Sequence, residues 1–131
     1  MVVGLLSVTG CPSVDLGDTP SDITQCNPPG GVEYFRTVVW PEYIKPADTD
    51  KGCTTHQGAS CHVEGGTTPQ FRTSPIDFPF NYRLTQNFLN CGQPMASYLL
   101  TKPLAGIEGH GGKDVFMDGD PRVQIFLDWF E

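Results

Sequence analysis

The segment Cys53–His62, CTTHQGASCH, carries two of the five cysteines of this 131-residue chain and two of its three histidines. Seven residues separate Cys53 from Cys61, and His62 follows the second cysteine directly. The flanks decide what kind of element holds it. Gly52, Gly58, Gly65, Gly66, Pro69 and Pro75 interrupt any regular period between positions 42 and 76. The segment is therefore expected on a loop with at most one helical turn.

Helical signals lie on either side. In VEYFRTVVW, Val32, Phe35 and Val39 recur at helical spacing, and Pro41 is expected to end or kink that element at Trp40. Asn81 is a candidate cap for a second helix with Leu84, Phe88 and Cys91 on one face and Gly92 as its stop. Ser97 opens a short turn, YLLTK, cut off by Pro103. The closing helix has the clearest signature. Asp120 stands as N-cap, Pro121 as the first helical residue, and Val123, Phe126, Leu127 and Phe130 form one apolar face.

The length suits one domain with a modest core. With 15 glycines, 12 prolines and few charged residues, the composition favours a loop-rich fold that needs covalent or cofactor support. A formal charge of -7 argues against nucleic acid as partner, since phosphate binding needs clustered Lys and Arg. A basic protein partner is compatible with it.

The N-terminal run VVGLLSVTG is apolar and too short to span a bilayer. It ends in Val8-Thr9-Gly10-Cys11, which resembles the lipobox of bacterial lipoproteins. The resemblance implies an export signal over 1–10, lipidation of Cys11 and a membrane anchor followed by a flexible linker over 11–31. The protein is accordingly expected in the periplasm or at the cell surface, as an outer-membrane lipoprotein. Four cysteines then remain, Cys26, Cys53, Cys61 and Cys91, and an exported chain tends to pair or ligate them. Their pairing is open among three connectivities.

Three chemistries fit the Cys53–His62 segment. Two thiols can bond the two vinyl groups of a haem while the adjacent histidine faces iron; the usual tag for this is the compact Cys-x-x-Cys-His. Here the spacing is wider, and the small residues Gly58, Ala59 and Ser60 would let the loop bulge. Alternatively, Cys53 and Cys61 close a disulfide, with Cys26 and Cys91 as a second bridge. A zinc site of Cys53, His56, Cys61 and His62 is the third option, disfavoured because adjacent ligands diverge. His56 by itself reads as an exposed loop residue, and His110, beside Gly111 and Gly112, as either ligand or turn. Phe126, Trp129 and Phe130 read as core. Asp114, Asp118 and Asp120 lack the spacing and closing Glu of a calcium loop.

The stretch before Cys53, YFRTVVWPEYIKPADTDKGC, places Phe35, Val39 and Pro41 in a pattern similar to that preceding the haem tag of bacterial cytochromes c. ASYLLTKPLAGIEGHGG and the closing PRVQIFLDWF, with Trp129, look like later segments of planctomycete-type cytochrome c domains. The resemblance is patchy and covers roughly 32–131. It implies a mainly α, small cytochrome c-like domain over 32–131 with long irregular loops, holding haem c on Cys53 and Cys61. It further implies His62 as proximal and His110 as distal iron ligand, with Met95 and Met117 as alternatives for the distal position. The function implied is non-enzymatic electron transfer to a redox protein partner. The alternative is a disulfide-stapled surface module that keeps the scaffold without haem.

Overall fold

The computed structural model describes residues 25–48, 51–57, 59–111 and 113–131. The expected signal, Cys11 and the linker up to position 24 lie outside the described residues. Helix α1 (Gly31–Tyr34) runs directly into a π-helical stretch (Phe35–Ile44). A hairpin of β1 (Thr55–His56) and β2 (Ala59–Ser60) follows, then α2 (Phe78–Gln86), a 3-10 turn (Pro94–Ala96), α3 (Tyr98–Thr101) and α4 (Arg122–Asp128).

The expectation of a mainly α, cytochrome c-like domain is corrected. Only 36% of the described residues are helical, and a small two-stranded sheet is present. The cause is visible in the sequence. Glycine and proline crowd the stretches on both sides of α2 and α3, so helices there stay short.

The first helical segment does not stop at Trp40. It passes through Pro41 to Ile44, and Lys45 N–H closes onto the Trp40 carbonyl at 2.8 Å, a bond spanning five residues. The wider π turn changes which residues face inward. Phe35, Val39, Trp40, Tyr43 and Ile44 are buried, at steps of four to five residues. Val32, expected on that face from α-helical spacing, is 45% exposed.

Aromatic rings build the core. Phe35 stacks on Trp129, the residue that caps the end of α4, at 5.7 Å and meets Trp40 edge-on at 6.0 Å, while Trp40 reaches Phe71 at 5.7 Å. Trp129 Nε1 donates to the Gly31 carbonyl at 3.0 Å, and Gly30 N–H donates to the Trp129 carbonyl at 3.1 Å. That approach needs a glycine: a Cβ on Gly30 would lie 3.0 Å from the Trp129 ring and 3.1 Å from its carbonyl oxygen. Position 30, expected in a linker, is thus part of the folded body.

Helix α2 starts earlier than expected. Asp77 is its N-cap, accepting from Phe80 N–H at 3.0 Å, with Pro79 in the first turn. Asn81 lies inside the helix, fully buried, and clamps the backbone of Arg72 by one donated and one accepted bond, both 2.8 Å. The helix ends at Gln86, short of Cys91 and Gly92. In α4 the positions of Asp120 and Pro121 fall one residue ahead of expectation. Pro121 is the N-cap residue, and Asp120 accepts from Arg122 N–H at 2.9 Å.

Cys26 and Cys91 form a disulfide with their Cα atoms 5.3 Å apart, tying the chain ahead of α1 to the loop after α2. The bridge closes a loop of 65 residues, for which chain entropy gives about 4 kcal/mol at most. Replacing both cysteines by serine is expected to lower unfolding free energy by roughly 2–4 kcal/mol in urea titrations. An unchanged midpoint would show that the bridge does not constrain the unfolded chain.

Candidate functional site

The segment read from sequence as an irregular loop is a hairpin. Thr55 pairs with Ser60 and His56 with Ala59. Backbone bonds carry the pairing past the strands: Cys61 N–H donates to the Thr54 carbonyl at 3.0 Å and His62 N–H to the Cys53 carbonyl at 3.2 Å. Folding back in this way absorbs the seven intervening residues and sets Cys53 beside Cys61 and His62. The hairpin is fixed to the core from below. Cys53 and Thr54 N–H groups both reach the Ile44 carbonyl, at 2.9 and 3.2 Å, at the end of the π-helical stretch.

Beyond His62 the chain turns tightly. A Cβ on Gly66 would come within 2.2 Å of the Cys61 carbonyl oxygen, so no other residue fits without backbone movement. The turn delivers the Thr67 carbonyl to His62 Nδ1 at 3.1 Å. His110 is held the same way by the Lys113 carbonyl, 2.7 Å from its Nδ1. A carbonyl can only accept, so each ring is oriented with an Nδ1–H toward it, and these bonds engage Nδ1 and not Nε2. The loop bearing His110 is itself pinned. Glu108 receives Lys102 at 2.7 Å and the Thr101 hydroxyl at 3.1 Å.

The two rings lie near each other, with centres 5.9 Å apart and planes inclined by 16°. Both border one cavity of about 680 Å³, together with Cys53, His56 and Cys61. Phe71, Phe88, Leu99, Pro103 and Val115 supply apolar wall. The size falls in the range of small-molecule and cofactor sites. All four candidate ligands, Cys53, Cys61, His62 and His110, are therefore on a single cavity. Met95 and Met117 are not: they are 55% and 64% exposed and take no part in its lining.

Cys53 and Cys61 are free thiols, so the disulfide reading of this pair does not describe the structure. Cys53 is buried against the Tyr43 carbonyl, 3.7 Å from its Sγ. Burial pushes its thiol up to about 12; nearby Arg122 opposes the shift and the Cys61 sulfur adds to it. Cys61 is half-buried, with its sulfur 3.6 Å from the Ala59 carbonyl. Among the described residues no group of three or more His, Cys, Asp or Glu side chains is placed to hold a metal ion, which leaves the four-ligand zinc arrangement without a geometric basis.

One member was misjudged from sequence. His56 is only 9% exposed, and neither ring nitrogen has a hydrogen-bond partner. Its place in a Gly-rich stretch suggested solvent. The signal for burial is the hairpin itself, which sequence periodicity over two-residue strands does not reveal.

Comparison with family models, with curated proteins and with solved structures gives no match to this chain.

Two measurements check this geometry. Alkylation of the native chain by iodoacetamide near neutral pH is expected to label Cys61 at least tenfold faster than Cys53, because a buried thiol held protonated is a poor nucleophile; equal rates would contradict the burial of Cys53. The His62 imidazole is expected to titrate below the usual value of about 6.5. Burial lowers it most, the Thr67 bond opposes that, and the His110 charge lowers it further. The sign follows: the unfolded chain takes up this proton first, so His62 stabilises the fold above about pH 6.5 and loses that contribution as pH falls through its lower folded value. NMR titration of the His110→Gln variant should show the His62 midpoint raised.

Proposed function

We propose that this chain is an electron carrier holding a c-type haem in the cavity between its hairpin and the 102–111 loop. The observation that carries the reading is the His62–His110 pair. Two imidazoles on one cavity are nitrogen donors of the kind that haem iron accepts. The observed separation is 5.9 Å with nearly parallel planes, and each ring has Nδ1 tied to a carbonyl with Nε2 left over. Backbone hydrogen bonds on Nδ1 fix tautomer and orientation, as they do for metal-bound histidines generally.

The residues present suit the group. His62 and His110 would supply imidazole nitrogens to the iron, and Cys53 and Cys61, on the same cavity as free thiols, would carry the thioethers. Bound haem would supply one-electron chemistry, and with two imidazoles as its ligands the iron would exchange electrons rather than bind a small substrate. The apolar wall of Phe71, Phe88, Leu99 and Val115 limits water at the cavity, and the acidic surface suits a basic redox partner. This site rests on a loop-rich scaffold of its own.

Export and lipid anchoring through Cys11 belong to the same proposal. The Cys26–Cys91 disulfide supports them, because such bridges persist in oxidising compartments. A purely stapled module accounts for that bridge and leaves unexplained the unbonded Cys53, Cys61 and the paired imidazoles.

Expression with a c-type haem maturation system is expected to yield a red protein. Its colour should survive acid–acetone extraction, and its mass should rise by one haem. Alanine at His62 or at His110 should each abolish the low-spin spectrum. A colourless chain that also fails to bind added haem would refute the proposal.

A further inference from the structure

Formal charge on the cavity wall is confined to one place. Among the described residues that border the cavity, Lys102 is the one Lys or Arg and Glu108 the one Asp or Glu. Lys102 stands at the exit of α3, where its N–H closes on the Tyr98 carbonyl at 3.2 Å. Its ammonium lies 2.7 Å from Glu108 Oε2 and 5.8 Å from the centre of the Tyr98 ring, another residue of this wall. The side chain is half-exposed, so its head is reachable. An ammonium has three donors. Glu108 takes one, which leaves two for water or for an occupant of the cavity.

The chemistry of the occupant narrows the choice. This step rests on the haem reading above. A haem is apolar over its ring and carries two carboxylates at one edge. The chain is acidic, with a formal charge of -7, and its general field repels such a ligand. On this wall only Lys102 offers a carboxylate the opposite full charge. We propose that Lys102 pairs with a haem carboxylate and so sets which edge of the macrocycle lies beside Tyr98 and Glu108. Glu108 is then more than a brace for the loop. It shares the same ammonium with the ligand, and its own negative charge weakens the pair.

The test is a thermodynamic cycle between these side chains and the ligand's carboxylates. The full chain, produced without haem maturation, is titrated by absorbance with ferric protoporphyrin IX and with its dimethyl ester. The wild-type chain is expected to bind the free acid about twofold to fivefold more tightly than the ester, the range for an exposed ion pair. Lys102→Arg should keep that preference. Glu108→Gln frees the ammonium of its competitor and should widen the preference by a further factor of about two. Lys102→Gln leaves Glu108 facing the carboxylates alone and should reverse it. The double variant, Lys102→Gln with Glu108→Gln, should bind acid and ester alike. A lysine that only held the 102–111 loop would shift both affinities together and leave their ratio unmoved.

Equal binding of acid and ester by the wild type overturns the inference, and needs no variant. So does a preference that persists undiminished in the double variant, or one that narrows in Glu108→Gln. Each of these leaves haem binding intact. Failure of the wild type to bind either porphyrin would overturn the haem reading and this inference with it.

Discussion

Everything at the site depends on one backbone arrangement: the segment bearing Cys53 and His56 folds back on the segment bearing Cys61 and His62, and the first of the two is anchored at the Ile44 carbonyl. Hydrogen bonding is what makes this specific. Cys53 and Thr54 donate to Ile44, and Cys61 and His62 donate back to Thr54 and Cys53. A short two-stranded ribbon has little stability alone. Here the helix end supplies the fixed carbonyl, and the core beneath it, through Phe35, Tyr43 and Trp129, supplies the rigidity.

The same logic explains why the helices are few without the site being loose. Each histidine is oriented by a carbonyl of its own loop, and each loop is braced independently. Gly66 permits the tight turn behind His62, and Glu108 ties the other loop to Lys102 and Thr101. Orientation of this kind needs defined hydrogen bonds rather than regular secondary structure. A long spacing between the cysteines is then no obstacle, because a hairpin brings chain ends together as surely as a helical turn does.

The sequence spoke most clearly where chemistry is local. Asp120-Pro121 announced the closing helix, and Ser97 and Pro103 bracketed α3; the Cys26–Cys91 bridge was one of several pairings that the sequence left open. Cys53, Cys61 and His62 stood out by type and spacing and His110 through the resemblance alone, and all four border one cavity. What remained hidden was set by longer-range geometry. Pro41 reads as a stop, but the π turn carries the helix past it, and Val32, in α1 ahead of that turn, lies toward solvent. Asn81 reads as a cap, yet Asp77-Phe78-Pro79 starts the helix earlier and Asn81 instead clamps Arg72. The two-residue strands are too short for any alternation to register, so the hairpin and the burial of His56 were not legible. The mainly helical expectation failed because resemblance in scattered segments says little about the Gly- and Pro-rich chain between them.

The central claim is that one iron lies between the Nε2 atoms of His62 and His110. Electron–nuclear double resonance on the oxidised, haem-loaded protein with ¹⁵N-labelled histidine tests it most directly. The account predicts a low-spin iron coupled to two imidazole nitrogens, with one coupling lost on substituting either His62 or His110. A high-spin centre, or coupling that survives both substitutions, would contradict it.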